Sequence, residues 1–231
     1  IVTPRPPAPV LVTYTYNDGP LVDELLAGVP AWTIPPERIL VVDDGSQTPY
    51  VPPKDVSGLP PLEVMRLDPN QGPTEAKRRG IEAAGQGMVL SLDCEMRLSP
   101  DWLEHTLPFL ADPDIGLVGS LVRHAPFDRA VSRHLDLFTN TGFLSGPVDF
   151  LQSNCWLLSK AAWERVGGFG PYAERTHQDH ALCRRLHAGG VTVLRTHRAT
   201  AVDQRPVSLV AHVKRLWHWN RMHDRLTRGV D

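Results

Sequence analysis

The 231-residue chain lacks the features of several common protein classes. No apolar run approaches the roughly eighteen residues of a membrane span, so the sequence does not predict a transmembrane protein. The net charge is -2, without the excess of basic residues that binds nucleic acid, which is therefore not an expected partner. The three cysteines are odd in number and far apart, so neither a disulfide framework nor a paired-cysteine zinc site is expected, and we predict a reducing, cytoplasmic setting.

What the first half of the chain does contain is an alternation of short apolar runs and helical patterns. The apolar runs are rich in β-branched residues, as strands are, and the other segments space their apolar residues as helices do. Strands are predicted at 10–16, 38–42, 62–66 and 88–92, and helices at 21–29, 74–84 and 100–110. The hydrophobic content of 42% is enough for a core, and the alternation predicts an α/β fold with a mostly parallel central sheet flanked by helices.

The second half is less regular and shows neither repeats nor a linker. Strands are predicted at 115–122, 153–158 and 191–194, helices at 160–166, 177–186 and 207–226, and a loop with a short helix at 125–150. We therefore predict a single domain over residues 1–231, with two halves that divide near residue 110.

The last predicted helix, 207–226, is amphipathic, with an apolar face and basic residues around it. Its apolar residues are Leu209, Val213, Leu216, Trp219, Met222 and Leu226. A solvated basic face is the simpler interpretation, and contact with an anionic membrane surface or a diphosphate is the alternative.

Two acids follow the strand predicted at 88–92. Unpaired charge at the end of a buried strand is costly, so Asp93 and Glu95 need an explanation. At an extended strand end, residues two apart point the same way, and two carboxylates on one side suit Mg²⁺ or Mn²⁺. The alternative is that Asp93 caps the next segment and Glu95 is solvated. Cys94, between them, is expected to pack on the opposite side.

Polar groups also follow two other predicted strands. Tyr16 and Asn17 end the first strand, and Asp43 and Asp44 end the second. Ligands of parallel α/β sheets bind beyond the carboxyl ends of the strands, so we expect these groups to share one crevice with the acids at 93 and 95.

Five stretches, taken in order, resemble the motifs of family 2 glycosyltransferases with the GT-A fold, over nearly the whole chain. They are 14–17 (Tyr-Thr-Tyr-Asn), 41–46 (Val-Val-Asp-Asp-Gly-Ser), 70–73 (Asn-Gln-Gly-Pro) with Ala76 and Lys77, 92–95 (Leu-Asp-Cys-Glu), and 167–169 (Gly-Gly-Phe) followed by Gln178 and Asp179. Each stretch alone is common, and the ordered set is specific.

The resemblance implies a nucleotide site in the half spanning about 9–110. The implied nucleotide-binding residues are Tyr14, Thr15, Tyr16, Asn17, Asp43, Asp44, Gly72, Lys77, Asp93 and Cys94. Asp44 would accept an N–H of the base, with Asp43 supporting the turn, and Tyr16 would stack on the base. Lys77 stands where the family often has an arginine near the base or phosphate. Asp44 as a turn cap and Tyr16 as a core residue are the structural alternatives.

The resemblance also implies a metal-bound diphosphate and a catalytic base. Asp93 and Glu95 occupy the family's Asp-x-Asp position for Mn²⁺ or Mg²⁺, with His197 or Asp203 as candidate further ligands. Asp179 matches the second residue of the family's Glu-Asp pair, which supplies the base. The first is Gln178 here, so one carboxylate is missing, and Asp179 as a helix N-cap is the alternative.

The function implied is metal-assisted, inverting transfer of a sugar from a nucleotide-sugar, most simply a UDP-sugar, to an acceptor held by the half spanning about 111–231. A sugar-nucleotide pyrophosphorylase is one alternative, although the Gly-rich, Arg-containing loop it needs after the first strand is missing at 14–19. A non-catalytic nucleotide-sugar-binding relative is the other, which Gln178 keeps open. Trp156 and Trp217 are expected in the core, with a sugar-binding floor as the alternative.

Overall fold

The computed structural model describes residues 7–126, 129–139, 145–170, 177–206, 208–211, 213–214 and 217. Most of the predicted last helix therefore lies outside the described residues, although residues 209–211, 213, 214 and 217 are helical. Trp217, expected in the core, is 61% exposed, whereas Trp156 is fully buried as expected.

The described residues form one central sheet with helices on both faces. The strands are β1 (Val10–Thr15), β2 (Ile39–Asp43), β3 (Leu62–Arg66), β4 (Met88–Leu92), β5 (Met96–Leu98), β6 (Ile115–His124), β7 (Gly146–Pro147), β8 (Cys155–Ser159) and β9 (Thr192–Asp203). The helices are α1 (Gly19–Gly28), α2 (Pro73–Ala83), α3 (Trp102–Thr106), α4 (Arg129–Thr139), α5 (Lys160–Val166) and α6 (Gln178–Ala188), with 3-10 turns at Val29–Ala31 and Leu107–Ala111.

The strand order is β3-β2-β1-β4-β8-β6-β9-β5, with β7 pairing on β9. Strands β3, β2, β1 and β4 are parallel, as predicted for the first half. Antiparallel pairs begin where β8 enters between β4 and β6. The α/β class with a helix-flanked central sheet is confirmed, and the sheet as a whole is mixed.

The apolar runs become central strands because both of their faces are covered. Alternate residues of β1, such as Leu11 and Val12, belong to separate cores on the two sides of the sheet. One core takes α1 and α3, and the other takes α2, α5 and α6. A strand buried on both faces reads as a continuous apolar run, which is why these strands could be predicted.

Two glycines let α2 and the loop that precedes it lie against the strand ends. A Cβ at Gly80 would lie 2.4 Å from Cγ1 of Val12, so glycine lets α2 approach β1 closely. Gly45 has φ +72°, and a Cβ there would lie 2.6 Å from the backbone nitrogen of Asn70. These approaches bring the 70–77 region onto the edge where β1 and β2 end.

The structure corrects several element predictions. The strand expected at 191–194 runs on to Asp203 as β9, and β5 was not predicted because its three residues carry no periodic signal. The region 125–150 contains an eleven-residue helix, α4. The helix predicted at 100–110 changes to a 3-10 turn after Thr106, because Pro108 cannot donate a backbone hydrogen bond.

Candidate active site

The carboxyl ends of β1, β2, β4, β6 and β9 lie at one edge of the sheet. Strands β1, β2 and β4 are parallel, β6 is related to β4 through two antiparallel pairings with β8, and β9 is parallel to β6. The five strands therefore point the same way. This edge gathers Asn17, Asp44, Asp93 and Asp203, the crevice expected from the sequence.

The acids after β4 lie in a turn and not on an extended strand end. Strand β4 stops at Leu92, and the turn is closed by the N–H of Met96, which donates to the carbonyl of Asp93 at 2.9 Å. The expectation of an extended strand end is therefore wrong, although the two carboxylates stay close enough for the charge of Asp93 to raise the pKa of Glu95. Asp93 faces Lys77 at 2.9 Å, and Glu95 faces Nη2 of Arg205 at 3.2 Å.

Lys77 is fully buried beneath the crevice. Its ammonium group donates to Oδ1 of Asp93 and to the carbonyl of Ser153, and it lies 5.1 Å from the ring centre of Tyr14 and 5.6 Å from that of Trp156. A side chain with 0% exposure and these partners does not reach a base or a phosphate from this position. The implied nucleotide contact of Lys77 is corrected: the residue holds the first acid of the motif in place.

The same network reaches the N-terminus of α6. The N–H of Asp93 donates to the carbonyl of Asn154 at 2.9 Å. Nε2 of Gln178 donates to Oγ of Ser153 at 3.1 Å, and Oγ1 of Thr74 donates to Oε1 of Gln178 at 3.3 Å. Gln178 therefore links α2, the 153–154 loop and α6.

Asp203 joins the two motif acids at the crevice. The β5–β9 pairing sets it opposite Met96, and the N–H of Gln204 donates to the carbonyl of Glu95 at 3.0 Å. Burial, followed by the charge of Asp93, raises the pKa of Glu95 to about 7. Burial also raises the pKa of Asp203. Burial is the larger cause of both upward shifts, and the charge of Asp93 adds to it.

This donor set fits a hard divalent ion. Among the residues that the structure describes, no three or more His, Cys, Asp or Glu side chains are already arranged to hold an ion by themselves. Mg²⁺-type sites commonly use one or two carboxylates and leave the other positions to water and substrate phosphates. Asp93, Glu95 and Asp203 supply carboxylates of that kind, and a diphosphate would complete the shell.

His197 does not belong to this group. It is exposed, and its Nε2 accepts a hydrogen bond from the N–H of Ser145 at 3.2 Å. His197 lies in an irregular part of β9 that precedes Thr200. Thr200 in turn lies roughly 10 Å along the strand from Asp203. The prediction of His197 as a ligand of this ion is therefore wrong, and Asp203 is the better-placed candidate.

Asp44 is buried and anchors the loop that precedes α2. Its Oδ1 accepts from the N–H of Gln71 at 2.8 Å, and its Oδ2 accepts from Nδ2 of Asn70 at 2.8 Å and from the N–H of Gly72 at 2.9 Å. The structural alternative foreseen for Asp44 is therefore present, and the N–H of Gly72 is used within the protein. Because one acceptor position remains on Oδ1, contact with a base stays a prediction.

Asp43 supports the turn, as the sequence suggested. Its carboxylate accepts from the N–H groups of Ser46 at 2.9 Å and Tyr50 at 3.0 Å, and from Nη1 of Arg66 at 2.6 Å. Burial opposes ionisation, yet these hydrogen bonds hold the pKa of Asp43 below its usual value.

The end of β1 supplies one exposed aromatic side chain. Tyr16 is 47% exposed and is therefore available to stack on a base. Asn17 has φ 60°, and its Oδ1 accepts from the N–H of Gln47 at 2.8 Å. Thr15 is buried, with Oγ1 accepting from the N–H of Asp18 at 3.2 Å. Tyr14 lies over Lys77, and burial followed by the charge of Asp93 raises its pKa well above the usual value.

Cys94 packs in the core, where it is 4% exposed, with Sγ 3.6 Å from Oε2 of Glu95. Burial, followed by the charge of Glu95, raises the pKa of this thiol. Its side chain is not presented to a nucleotide, which corrects the implied assignment of Cys94. The expectation that it packs on the side opposite both acids is not met either, because its sulfur contacts Glu95. The other two cysteines are also free and buried.

Asp179 lies in the first turn of α6. The N-cap position belongs to His177, with φ 70°, so the interpretation of Asp179 as an N-cap is wrong. Its Oδ1 accepts from the N–H of His180 at 2.9 Å. The ring of His180 stacks on Phe150 with 3.9 Å between centroids. A carboxylate in the first turn of a helix interacts favourably with the positive end of the helix dipole.

Two hollows adjoin the crevice. One, of about 550 Å³, is bordered by Asn17, Gln47 and Tyr50 beyond the ends of β1 and β2. The other, of about 750 Å³, runs between α2 and α5 and does not include the motif acids. Its charged side chains, among the residues that the structure describes, pair with one another, for example Lys160 with Glu164 at 3.6 Å.

Sequence reasoning missed two groups that shape this site. Arg205 bridges Glu95 at 3.2 Å and Asp18 at 3.7 Å, and Asn70 binds the carboxylate of Asp44. Asn70 stood within a recognised motif. Arg205 is 110 positions from Glu95 in the chain, and no local pattern connects them.

A mixed sheet with helices on both faces and an acid-lined crevice at the strand ends defines the GT-A class of glycosyltransferase folds. GalNAc-T7, solved with UDP, GalNAc and Mn²⁺, matches 89% of this chain and 45% of its own with a TM-score of 0.68 and 13% identity. The mannosyltransferase PcManGT from Pyrobaculum calidifontis, solved with GDP-Man and Mn²⁺, matches 87% of this chain and 58% of its own with a TM-score of 0.66 and 18% identity. At these identities the likeness shows the fold alone.

The chain belongs to glycosyl transferase family 2, whose model matches residues 10–167. The pre-mycofactocin glycosyltransferase of Mycobacterium tuberculosis is 29% identical over 186 residues, which is 76% of this chain and 37% of that protein. The chain thus spans well under half the length of this relative.

Proposed function

We propose that this domain transfers a sugar from a UDP-sugar to an acceptor with inversion at the anomeric carbon and with help from Mn²⁺ or Mg²⁺. The observation that carries the proposal is the meeting of Tyr16, Asp44, Asp93 and Asp203 at one edge of the sheet. Tyr16 and Asp44 would bind the base of a nucleoside diphosphate, and Asp93 and Asp203 would hold a cation at its diphosphate end. The half spanning about 9–110 would bind the donor, and the remainder would bind the acceptor.

A bound divalent ion would supply Lewis-acid stabilisation of the negative charge that develops on the departing diphosphate. The chain's own part is to hold the carboxylates and to orient the donor. Asp93 is fixed by Lys77 and by the carbonyl of Asn154, so it presents one oxygen in a set position. Preorganised groups of this kind need not rearrange during the reaction.

Asp179 is the proposed general base. An acceptor hydroxyl or amine must lose a proton as it attacks the anomeric carbon from the face opposite the diphosphate, and a positioned carboxylate accelerates such a step by about 10²–10⁴-fold. Asp179 lies beside Gln178, which is tied through Ser153 to the network that holds Asp93. The base and the donor site are thus connected by hydrogen bonds.

The preference for uracil rests on the free acceptor capacity of Asp44. Three N–H groups already use its oxygens, leaving one acceptor position on Oδ1. Uracil presents a single ring N–H, whereas guanine presents two adjacent donors. PcManGT, bound to GDP-Man, shows that relatives in fold take other bases, so GDP is the competitor to test.

A thermal-shift panel tests the proposal. UDP-, GDP- and dTDP-sugars should be compared with and without Mn²⁺, because a ligand at 100 times its dissociation constant adds about 2.7 kcal/mol to stability. We expect the largest rise with a UDP-sugar plus Mn²⁺, and loss of the Mn²⁺-dependent part in Asp93→Asn. A stronger response to GDP-sugars would overturn the choice of uracil, and unchanged Mn²⁺ dependence in the variant would overturn the metal assignment.

One feature keeps a second function in view. Gln178 replaces a carboxylate of the family's pair, as it would in a relative that binds nucleotide-sugars without transferring them. Slow hydrolysis of a UDP-sugar with Mn²⁺ would distinguish the enzyme from such a binder. The pyrophosphorylase alternative has no observation in its favour.

No helix in the described ranges is long and apolar enough to cross a membrane.

A further inference from the structure

Asp93 and Glu95, two acids of the crevice, are paired with cationic side chains that differ sharply in solvent exposure. Lys77, on Asp93, is 0% exposed and is enclosed by the rings of Tyr14 and Trp156. The guanidinium of Arg205, on Glu95, belongs to a side chain that is 45% exposed. One cation is built into the core, and the other can move.

Arg205 is held at this place by electrostatics more than by packing. Its Nη2 lies 3.2 Å from Oε1 of Glu95 and 3.7 Å from Oδ2 of Asp18, whose side chain is 47% exposed. Its own N–H donates to Oδ1 of Asp203 at 2.8 Å, which fixes the backbone next to the acids and leaves the long side chain to reorient. The contact with Asp18 joins two exposed side chains and is therefore weak, whereas the side chain of Glu95 keeps only 12% exposure.

A divalent ion that binds Glu95 would compete with this guanidinium for the same carboxylate. We infer that Arg205 rests on Glu95 until the ion binds, is then displaced, and binds the diphosphate of the donor as a second positive group. The inference depends on the proposed function, because it needs a diphosphate beside the ion. Arginine suits the role, since its planar fork matches phosphate oxygens and stays charged at all relevant pH.

The backbone position of Arg205 keeps the displaced group close to the ion. Arg205 follows Asp203 by two residues, and Gln204 between them is fixed by its bond to the carbonyl of Glu95. A released side chain therefore stays within its own length of the crevice. Charge that develops on the leaving diphosphate would meet both the ion and this guanidinium.

The test separates the two halves of the inference by measuring binding without turnover. Calorimetry with Mn²⁺ alone, and then with UDP and UMP in the presence of saturating Mn²⁺, should compare the wild type, Arg205→Gln and Arg205→Lys. The matched control is Arg198→Gln, which removes the same charge from an exposed position on β9. Thermal unfolding of each variant checks that the fold is intact.

We expect Arg205→Gln to bind Mn²⁺ alone about two- to fivefold more tightly, because its competitor is gone. The same variant should bind UDP about 10- to 100-fold more weakly while UMP affinity changes little, because a charged hydrogen bond to the β-phosphate is lost. Arg205→Lys should recover part of the UDP affinity, and Arg198→Gln should match the wild type.

Unchanged or weaker Mn²⁺ binding by Arg205→Gln would overturn the displacement step. Equal UDP affinities of Arg205→Gln and the wild type would overturn the diphosphate contact. Equal losses for UDP and UMP would also overturn it, since they would indicate a general effect on the site. If the wild type itself binds neither Mn²⁺ nor a nucleoside diphosphate, the proposed function fails first and this inference fails with it.

Discussion

Replacing Lys77 with methionine should destabilise the domain and loosen the proposed metal site together. Methionine keeps much of the apolar stem and removes the ammonium that pairs with Asp93 at 2.9 Å. Breaking a buried ion pair on one side costs about 3–5 kcal/mol, because the remaining charge stays buried without its partner. The side chain of Asp93 keeps 15% exposure, so we expect the lower end, about 3 kcal/mol. For a domain of this size that corresponds to a fall in Tm of about 6–12 °C.

The double variant Lys77→Met/Asp93→Asn makes the reasoning refutable. Asparagine carries no charge to leave stranded, so the double variant should be more stable than the sum of the single changes predicts. Lys160→Met is the matched control, because Lys160 is also buried but pairs at 3.6 Å with Glu164, which is 50% exposed. Loss of this pair should lower the unfolding free energy by no more than about 1 kcal/mol. Urea denaturation measures the wild type, the single variants Lys77→Met and Asp93→Asn, the double variant and Lys160→Met. A loss below about 1 kcal/mol in Lys77→Met, or strict additivity in the double variant, would refute the account.

Three further changes test other parts of the site. Asp179→Asn should keep the donor bound and lower kcat by about 10²-fold or more, and a nearly normal rate would place the base elsewhere. Asp44→Ala should weaken UDP binding. It should also lower the unfolding free energy by about 1–3 kcal/mol, because the loop N–H groups at 71 and 72 lose their acceptor. Stability equal to the wild type would contradict the anchoring role. The pKa of Glu95 is about 7 in the folded protein and about 4.3 in the unfolded chain. The stability that this carboxyl group contributes is therefore present below about pH 4 and is lost as the pH rises through 7. Glu95→Gln should therefore raise Tm at pH 8 and make little difference near pH 4, and a lower Tm at pH 8 would contradict the raised pKa.

The sequence could predict the elements whose signals are local. Strands β1, β2 and β4 are buried on both faces, so each appears as a mostly apolar run, interrupted only by small hydroxyl residues such as Thr13 and Ser91. Asp44 and Asp93 could be singled out for a similar reason, since acids at the ends of such runs need partners. The parallel order then followed from the alternation of strands and helices, because parallel strands require crossover connections.

The sequence could not predict which charges meet at the crevice. The partners of Asp93 and Glu95 are Lys77 and Arg205, and each partner reaches the acid through the tertiary arrangement of α2 or of β9. Lys77 looked like a nucleotide contact because the resemblance places it where the family often has an arginine, and its burial could not be read from the sequence. His197 looked like a ligand because β9 was expected to end at 194, and the irregular, longer strand places it away from the acids.

The sequence by itself thus determined the parallel half of the sheet, the edge where a ligand is expected and the acids that lie there, because each depends on short-range patterns of burial and polarity. Only the tertiary structure decided how those acids are oriented and neutralised. A turn at 93–95 sends the two carboxylates to different cations, one enclosed by aromatic rings and one exposed to solvent. Coulomb interactions between groups distant in sequence depend on separation and burial in space, and neither is encoded in a local pattern.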